Sequence, residues 1–490
     1  MKSQYLACDL GAESGRVILG TLENGCLALE EIHRFPNGPV RVLGSLRWNV
    51  LGMYAQLKEG LALGAAKATA LRSLSVDSWG VDYVYIRHDQ PHLSVPFHYR
   101  DARTDTAFLE ATKRVPRKDI FENTGIQFMP LNTLYQLYDD LERQPEVIKL
   151  ATRFLCIGDY LNYLFSGRDV MERSLASTTQ LFDPRLGEWS KKLIKSFGFR
   201  EQIFPDLVDA GSVTGPVLPD VAVECGLPLD VAVAAVPSHD TACAVAAVPA
   251  EGEDWAYLSS GTWSLLGLEL ERPIITPESF EANFTNEVGL NRSIRFLKNI
   301  AGLWILQECR RTWASRGEKF EYAELVSAAE GAEAFRSLID PQDPAFLKPG
   351  EMPSRVAAYC EKTGQPVPTA HGEIVRCILE SLALVYSLAL EQAMRLSGRS
   401  VKKLHVVGGG SRNHLLNQFT ASACGITVLA GPEEATAAGN VLVQALACGE
   451  LKSSKELRQV VGRSFEVKIY NPVDIELWQE ARNRFVALTS

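Results

Sequence analysis

No apolar run in this sequence approaches the 18 or more residues that a membrane-crossing helix requires; Val231–Val236 is one of the longer runs and has six. The opening residues, MKSQYLACDLG, carry a single lysine and a short apolar stretch broken by Asp9, so they do not read as a secretory leader. With neither signal present, the expected location is the cytoplasm. The ten cysteines are scattered without a CxxC pair or other metal-type spacing, and they read as reduced, mostly buried thiols. Fifty basic against 59 acidic residues give a net charge of −9, which argues against nucleic acid or an anionic membrane as the main partner. There is no low-complexity tract and no short repeat. GxxxxGK(S/T), a GxGxxG that opens a helix, and HExxH are all missing, so any bound nucleotide must be held by other means.

What is present is the balance of a globular protein: 46% apolar and 22% charged over 490 residues, too long for one core. One long-range echo organises the chain. Residues 5–22 read strand, small polar turn, strand (YLACDL, GAESG, RVILGTL), and residues 255–270 do the same (WAYLS, SGT, WSLLGLEL). A similar hairpin near the start of each half predicts two related lobes. Elsewhere strands and helices alternate: strands at 74–76 and 81–86 around DSWG, a buried strand at 231–236, a long helix over 373–396 ending near Gly398, and a strand at 404–407 entering three glycines. A helix is expected from Asn413 to Ala423, and a last one with Asn471 as N-cap and Pro472 at its first position. This pattern predicts an α/β class. Domains are expected over 1–245 and 246–490, with the last helix, about 471–488, packing back on the N-terminal domain.

Four segments could carry chemistry. In Asp9–Arg16 (DLGAESGR), Gly11 and Gly15 allow a sharp turn and close approach to a ligand, while backbone N–H groups, Ser14 and Arg16 could address phosphate oxygens. Asp9 could hold a hydrated Mg²⁺ from one side. Ser259–Thr262 (SSGT) is a second small hydroxyl-rich turn, and Gly408–Gly410 leaves bare backbone for a base and ribose. Ser238–Thr241 (SHDT) follows an apolar strand, where ligands of α/β sheets collect; Asp240 could accept the proton of a hydroxyl. Each segment also has a plain reading, as a hairpin turn or, for SHDT, as a helix cap.

Taken together, DLGAESGR, DSWGVD (77–82), YRDARTD (99–105), NTGIQFMPLNTLYQL (123–137), SHDTACA (238–244), YLSSGTWSLLG (257–267), LKNIAGLWILQE (297–308) and HVVGGGSRNHLLNQ (405–418) resemble the rhamnulokinase branch of the FGGY family of carbohydrate kinases. The resemblance implies two ribonuclease-H-like, actin-like ATPase domains with an interdomain active-site cleft. It implies transfer of the γ-phosphoryl of ATP to the 1-hydroxyl of L-rhamnulose in rhamnose breakdown, with Mg²⁺ as the metal. Carried over by motif, Asp240 is the proton acceptor, and Gly80, His239, Asp240, Thr241 and Asn299 contact the sugar. Ala12, Glu13, Ser14, Gly15, Arg16, Thr262, Gln307 and Gly409 contact ATP, and Asp9 lies near the metal. Glu13 departs from the small residue common in that loop and is expected to point away from phosphate. Two rival readings are kinase action on another ketose, such as L-fuculose or a pentulose, and an actin- or chaperone-like ATPase switch. A monomer or homodimer is expected.

Overall fold

The computed structural model describes residues 2–489. The chain begins with an antiparallel meander, β1 (Lys2–Leu10), β2 (Ser14–Glu23) and β3 (Cys26–Pro36). On the other side of β1 lie β4 (Leu71–Ser78), β6 (Ala232–Ala235) and β5 (Ser212–Pro216), giving the order β5-β6-β4-β1-β2-β3. β1, β4 and β6 run parallel to one another, and β5 is antiparallel to β6.

The later part of the chain repeats this scheme. Its strands are β7 (Trp255–Ser260), β8 (Trp263–Leu270), β9 (Ile294–Ala301), β10 (Lys403–Val407), β11 (Thr427–Ala430) and β12 (Lys468–Tyr470), in the order β9-β8-β7-β10-β11-β12, with the short strand Thr285–Val288 added at the edge beside β9. β8 is antiparallel to β7, β10 and β11 are parallel to it, and β12 is antiparallel. From β8 to β12 the succession of pairing senses matches that from β2 to β5 in the first sheet, so the hairpin echo in the sequence marks two ribonuclease-H-like units.

The units are not contiguous in the chain. The first gathers the residues up to Pro249 with Glu269–Phe296 and Ala435–Phe465; the second gathers Ala250–Leu268, Leu297–Glu434 and the residues from Glu466. The segment that returns to the first unit is therefore not the last helix. That helix, Ile475–Thr489, stays with the second unit, where Trp478 packs 5.3 Å from the ring of Phe419 and 4.8 Å from that of Phe335. It also starts three residues later than Pro472, after Asp474, whose φ of 52° is left-handed.

In the first unit the sheet has two differently made faces. Leu6, Cys8, Val17, Leu19, Leu74 and Val76 point to one side and are covered by α1 (Val50–Lys67) and α2 (Ile157–Ser166). Leu57 and Leu61 of α1 are fully buried there, each worth about 2 kcal/mol of transfer free energy. The alternate residues of β4, Ser73, Ser75 and Asp77, point to the other side and are also fully buried. Their cover is α8 (Ala435–Ala447), whose Gln444 accepts from Ser73 Oγ at 2.7 Å and whose Asn440 Nδ2 donates to Asp77 Oδ2 at 2.6 Å. Ser75 Oγ donates to the Ala234 carbonyl at 2.7 Å. Buried polar side chains are tolerable only when bonded in this way.

Helix α8 crosses the short helix α4 (Asp240–Ala246) with backbone almost in contact: a Cβ added to Gly439 would lie 1.9 Å from the Cys243 carbonyl oxygen. Among the described residues no helix is long and apolar enough to cross a membrane. Because the obstacle at Gly439 is backbone, Gly439→Ala is expected to destabilise the protein by about 3 kcal/mol in urea unfolding. An unchanged midpoint would contradict this packing.

Candidate active site

Asp9 and Asp77 occupy opposed positions on the paired strands β1 and β4, one residue from the end of each. The chain after β6 joins them: Ser78 N donates to the Ser238 carbonyl at 2.8 Å, and Ser78 and His239 form a parallel bridge. Asp240 follows at the first position of α4. Three carboxylates of the first unit thus lie at one end of one sheet. Burial, and then the charge of Asp9, push Asp77 well above the usual carboxylate range, with a smaller contribution from Asp240. Burial also raises Asp240, with His239 pulling it down and Asp9 pushing it up. Arg16 lies 2.5 Å from Asp9 and 3.7 Å from Glu31, so its guanidinium is engaged by carboxylates in this structure.

Asp240 is held by its own helix. Thr241 N and Oγ1 donate to Oδ1 at 2.5 and 3.1 Å. The side chain keeps 30% of its surface exposed, and no described residue donates to Oδ2. That oxygen is the one available to a hydroxyl. The cap reading of SHDT is not what the chain adopts: His239 is the N-cap residue and makes no side-chain cap bond.

The backbone of Ser238–His239 is fixed from below by two buried acids. Glu172 Oε2 accepts from Ser238 N at 3.0 Å and Ser174 N at 2.8 Å, as well as from Ser174 Oγ, which in turn accepts from His239 N at 3.1 Å. Asp159 Oδ1 accepts from Ser238 Oγ at 3.0 Å and Glu172 N at 3.1 Å. Ser174 is the second residue of the short helix α3 (Arg173–Thr178), which Glu172 caps.

The hairpin between β1 and β2 closes through Gly11 N donating to the Ser14 carbonyl at 2.9 Å, and Asn37 braces it by donating to the Glu13 and Gly11 carbonyls at 2.9 and 2.8 Å. Ala12 and Ser14 are half-buried, Glu13 is exposed, and Gly15 is buried where a Cβ would lie 2.2 Å from the Phe35 ring. Gly80 sits in the turn after β4, beside Val81, whose φ of 71° is left-handed and costly for a β-branched residue. Thr133 Oγ1 and Gln136 Nε2 donate to the Val81 carbonyl at 2.7 and 3.3 Å and hold this conformation. It is also why the strand expected from residue 81 begins at Tyr83. Asp82 follows, fully buried and accepting from both indole N–H groups of Trp48 and Trp79, at 2.6 and 3.0 Å. Burial pushes it up to about 6 against those bonds.

In the second unit, the tip of the β7–β8 hairpin anchors a helix. Leu303 N and Trp304 N donate to the Gly261 and Thr262 carbonyls at 3.0 and 3.1 Å, fixing the start of α5 (Trp304–Ser315). Gln307 lies one turn into α5; its Oε1 is buried and has no hydrogen-bond partner among the described residues. The glycines after β10 lie on the same hairpin: a Cβ on Gly410 would meet Ser260 Oγ at 2.0 Å, and Gly408 has φ of 83°. A Cβ on Gly409 would meet nothing within 4 Å. Thr262, Gln307 and Gly409 therefore converge at one end of the sheet. Asn299 is half-buried on β9. Asn413 caps the following helix, α7 (His414–Cys424), with Oδ1 accepting from Leu416 N at 3.0 Å.

The donors at Asp9 and Asp77 fit a hard divalent cation. Asp77 Oδ1 is buried without a hydrogen-bond partner, and the crowd of like charge is what such an ion compensates. Among the described residues no group of three or more His, Cys, Asp or Glu could hold a metal ion.

Sequence reasoning missed Asp77 as a metal-type donor, and it missed Asn440, Glu172, Asp159, Glu287 and Arg295. Burial pushes Glu172 up to about 7, against the hydrogen bonds from Ser174 and Ser238. The folded protein therefore keeps a proton that the unfolded chain releases near its ordinary carboxylate value, and stability falls as pH rises from there through about 7. Glu172→Gln removes this dependence, so its stability relative to the parent is expected to rise between about pH 5 and about pH 8. A pH-independent difference in urea unfolding would contradict it.

Known proteins carry the same arrangement of sequence. The N-terminal domain of the FGGY family of carbohydrate kinases matches residues 4–247, and its C-terminal domain matches residues 256–448. A rhamnulokinase of Bacteroides thetaiotaomicron is 44% identical over 486 residues, 99% of either chain. One of Enterococcus faecalis is 42% identical, over 99% of this chain and 97% of its own. Among solved structures, a xylulose kinase from Lactobacillus acidophilus has a TM-score of 0.83 at 15% identity, covering 99% of this chain and 97% of its own. Plasmodium falciparum glycerol kinase with ADP has a TM-score of 0.77 at 16% identity, covering 99% and 98%. These two likenesses bear on the fold alone. Both domain matches and the near-complete relatives make this chain a member of the FGGY family of carbohydrate kinases, an ATP-using phosphotransferase that acts on a small sugar.

Proposed function

We propose that this protein transfers the γ-phosphoryl group of ATP to the 1-hydroxyl of L-rhamnulose, giving L-rhamnulose 1-phosphate and ADP, as a step of L-rhamnose breakdown in the cytoplasm. One observation carries the choice of sugar: relatives named rhamnulokinase match this chain at 38–44% identity over 96–99% of its length. The xylulose kinase and glycerol kinase structures, at 15–16% identity, do not favour those sugars.

In this reading Asp240 is the base. Its Oδ1 is occupied by Thr241 N and Oγ1, so Oδ2 takes the hydroxyl proton as the sugar oxygen forms its bond to the γ-phosphorus. The bond from that phosphorus to the β,γ-bridging oxygen breaks, and ADP leaves. The raised proton affinity of Asp240 suits an acceptor better than an ordinary carboxylate would. Gly80, His239, Thr241 and Asn299 are assigned to the sugar. Thr241 also orients Asp240, so its removal should affect turnover as well as binding.

ATP is assigned to Ala12, Glu13, Ser14, Gly15 and Arg16 of the first hairpin, and to Thr262, Gln307 and Gly409. The unpartnered Gln307 Oε1 and the open space over Gly409 support the second group. Glu13, which is exposed, is assigned through its backbone. Asp9, with Asp77, would hold Mg²⁺. When bound, that ion neutralises charge on the phosphate oxygens. Phosphoryl transfer depends mostly on alignment and charge stabilisation, so the base accounts for only part of the acceleration. A monomeric or homodimeric state accompanies this proposal.

Two measurements test it. An assay coupled to ADP formation should give the highest kcat/KM with L-rhamnulose among L-rhamnulose, L-fuculose, L-ribulose, D-xylulose and glycerol. A higher value for a pentulose would overturn the sugar assignment. Asp240→Asn should lower kcat by about 10²-fold or more while ATP binding by calorimetry stays near that of the parent. Near-normal turnover in that variant would remove Asp240 as the base.

A further inference from the structure

Arg295, on β9, has no exposed surface, yet it carries a permanent positive charge. Its partners lie in the first unit with it. Nη2 donates to Glu287 Oε2 at 3.0 Å and contacts His239 Nδ1 at 3.0 Å. Glu287, in the short strand Thr285–Val288, is also buried. Burial alone would raise its proton affinity, but the Arg295 guanidinium brings it below the ordinary range, so the pair is ionic.

A buried ion pair is a weak source of stability, since two charges must leave water and an apolar pair of similar volume serves as well or better. Its geometry here has a more specific consequence. His239 Nδ1 has two neighbours, Arg295 Nη2 at 3.0 Å and, further off, Glu287 Oε2 at 3.4 Å, which already accepts from Nη2. A guanidinium has only donors, so the shorter contact is a hydrogen bond only when Nδ1 receives it and carries a lone pair. The proton of the neutral ring is then on Nε2. Nε2 lies 3.4 Å from Asp240 Oδ1. With the opposite tautomer, a lone pair would face the carboxylate and repel it.

We infer that Glu287 and Arg295 are positioning residues that lock His239 in the Nε2–H tautomer, keeping an N–H turned toward the carboxylate of Asp240. Glu287 orients the guanidinium, the guanidinium fixes the ring, and the ring together with Thr241 fixes Oδ1. The backbone of His239 is already held through Ser174 and the Ser78 bridge, which leaves ring orientation and tautomer as what Arg295 controls. The catalytic consequence rests on the reading of Asp240 as base; the tautomer itself does not.

The test uses the full chain labelled with ¹⁵N-histidine, with the His239 signals identified by their loss in His239→Gln. In the parent, Nε2 is expected to be the protonated nitrogen and Nδ1 the bare one. A ring protonated on Nδ1 would overturn the inference outright. Glu287→Gln combined with Arg295→Met removes both buried charges together and avoids leaving one unpaired. It should abolish the single tautomer and lower kcat by about tenfold to a hundredfold, with KM for ATP little changed. Arg295→Lys keeps a cation and a donor for Nδ1, and should recover the tautomer and part of kcat. Retention of the Nε2–H ring in a folded double variant overturns the lock. Loss of that tautomer with unchanged kcat overturns its role in turnover. If the double variant does not fold, the parent spectrum and Arg295→Lys decide. Normal turnover in Asp240→Asn would defeat the base assignment yet leave the tautomer measurement standing, so the two failures can be told apart.

Discussion

Gathering carboxylates at the end of a buried sheet is the constraint on which the first unit depends. Asp9 and Asp77 stand side by side on paired strands, and Asp240 follows directly from the bridge between Ser78 and His239. Asp77 and Asp240 are pushed by removal from water, and by the charge of Asp9, toward holding a proton, yet a kinase needs carboxylates that can bind a cation and accept a proton. The surroundings reconcile these demands. Asn440 donates to Asp77, Arg16 pairs with Asp9, and Thr241 donates twice to Asp240.

That requirement explains features that look unrelated to chemistry. Helix α8 enters the first unit from nearly 200 residues beyond the last strand of that sheet, and it brings Asn440 and Gln444 to a seam of serines and Asp77. It can come close enough only because Gly439 has no side chain against Cys243 and Gly20 has none against Val441. Beneath SHDT, Glu172 and Asp159 hold the backbone of Ser238–His239, while Glu287 and Arg295 hold the ring of His239. Asp240 is therefore placed by elements from distant stretches of chain.

Local signals were legible in the sequence, and non-local ones were not. The glycine-and-hydroxyl turns, the paired hairpins and the end of the long helix near Gly398 follow from residue types acting on their near neighbours, and they appear where expected. Glu287 and Arg295 sit in short strands, where a lone charge reads as a solvent-facing position; only the fold shows that each neutralises the other. Asn440 was hidden in an alanine- and valine-rich helix. The discontinuous units were unreadable because nothing local marks Ala435–Phe465 as returning to the first sheet. The left-handed Val81 escaped for the opposite reason: its local preference argues against the conformation that Thr133 and Gln136 impose.

The chemical claim at the centre is that an ionised Asp240, with its proton affinity raised by burial, must be present for the hydroxyl to attack. The most direct measurement is kcat/KM for L-rhamnulose against pH at saturating ATP and Mg²⁺, within the range where circular dichroism shows the native fold. A single-proton fall on the acid side, centred above about 3.9, the ordinary aspartate value, is the predicted result. A rate that stays level on the acid side until the protein unfolds would contradict the account.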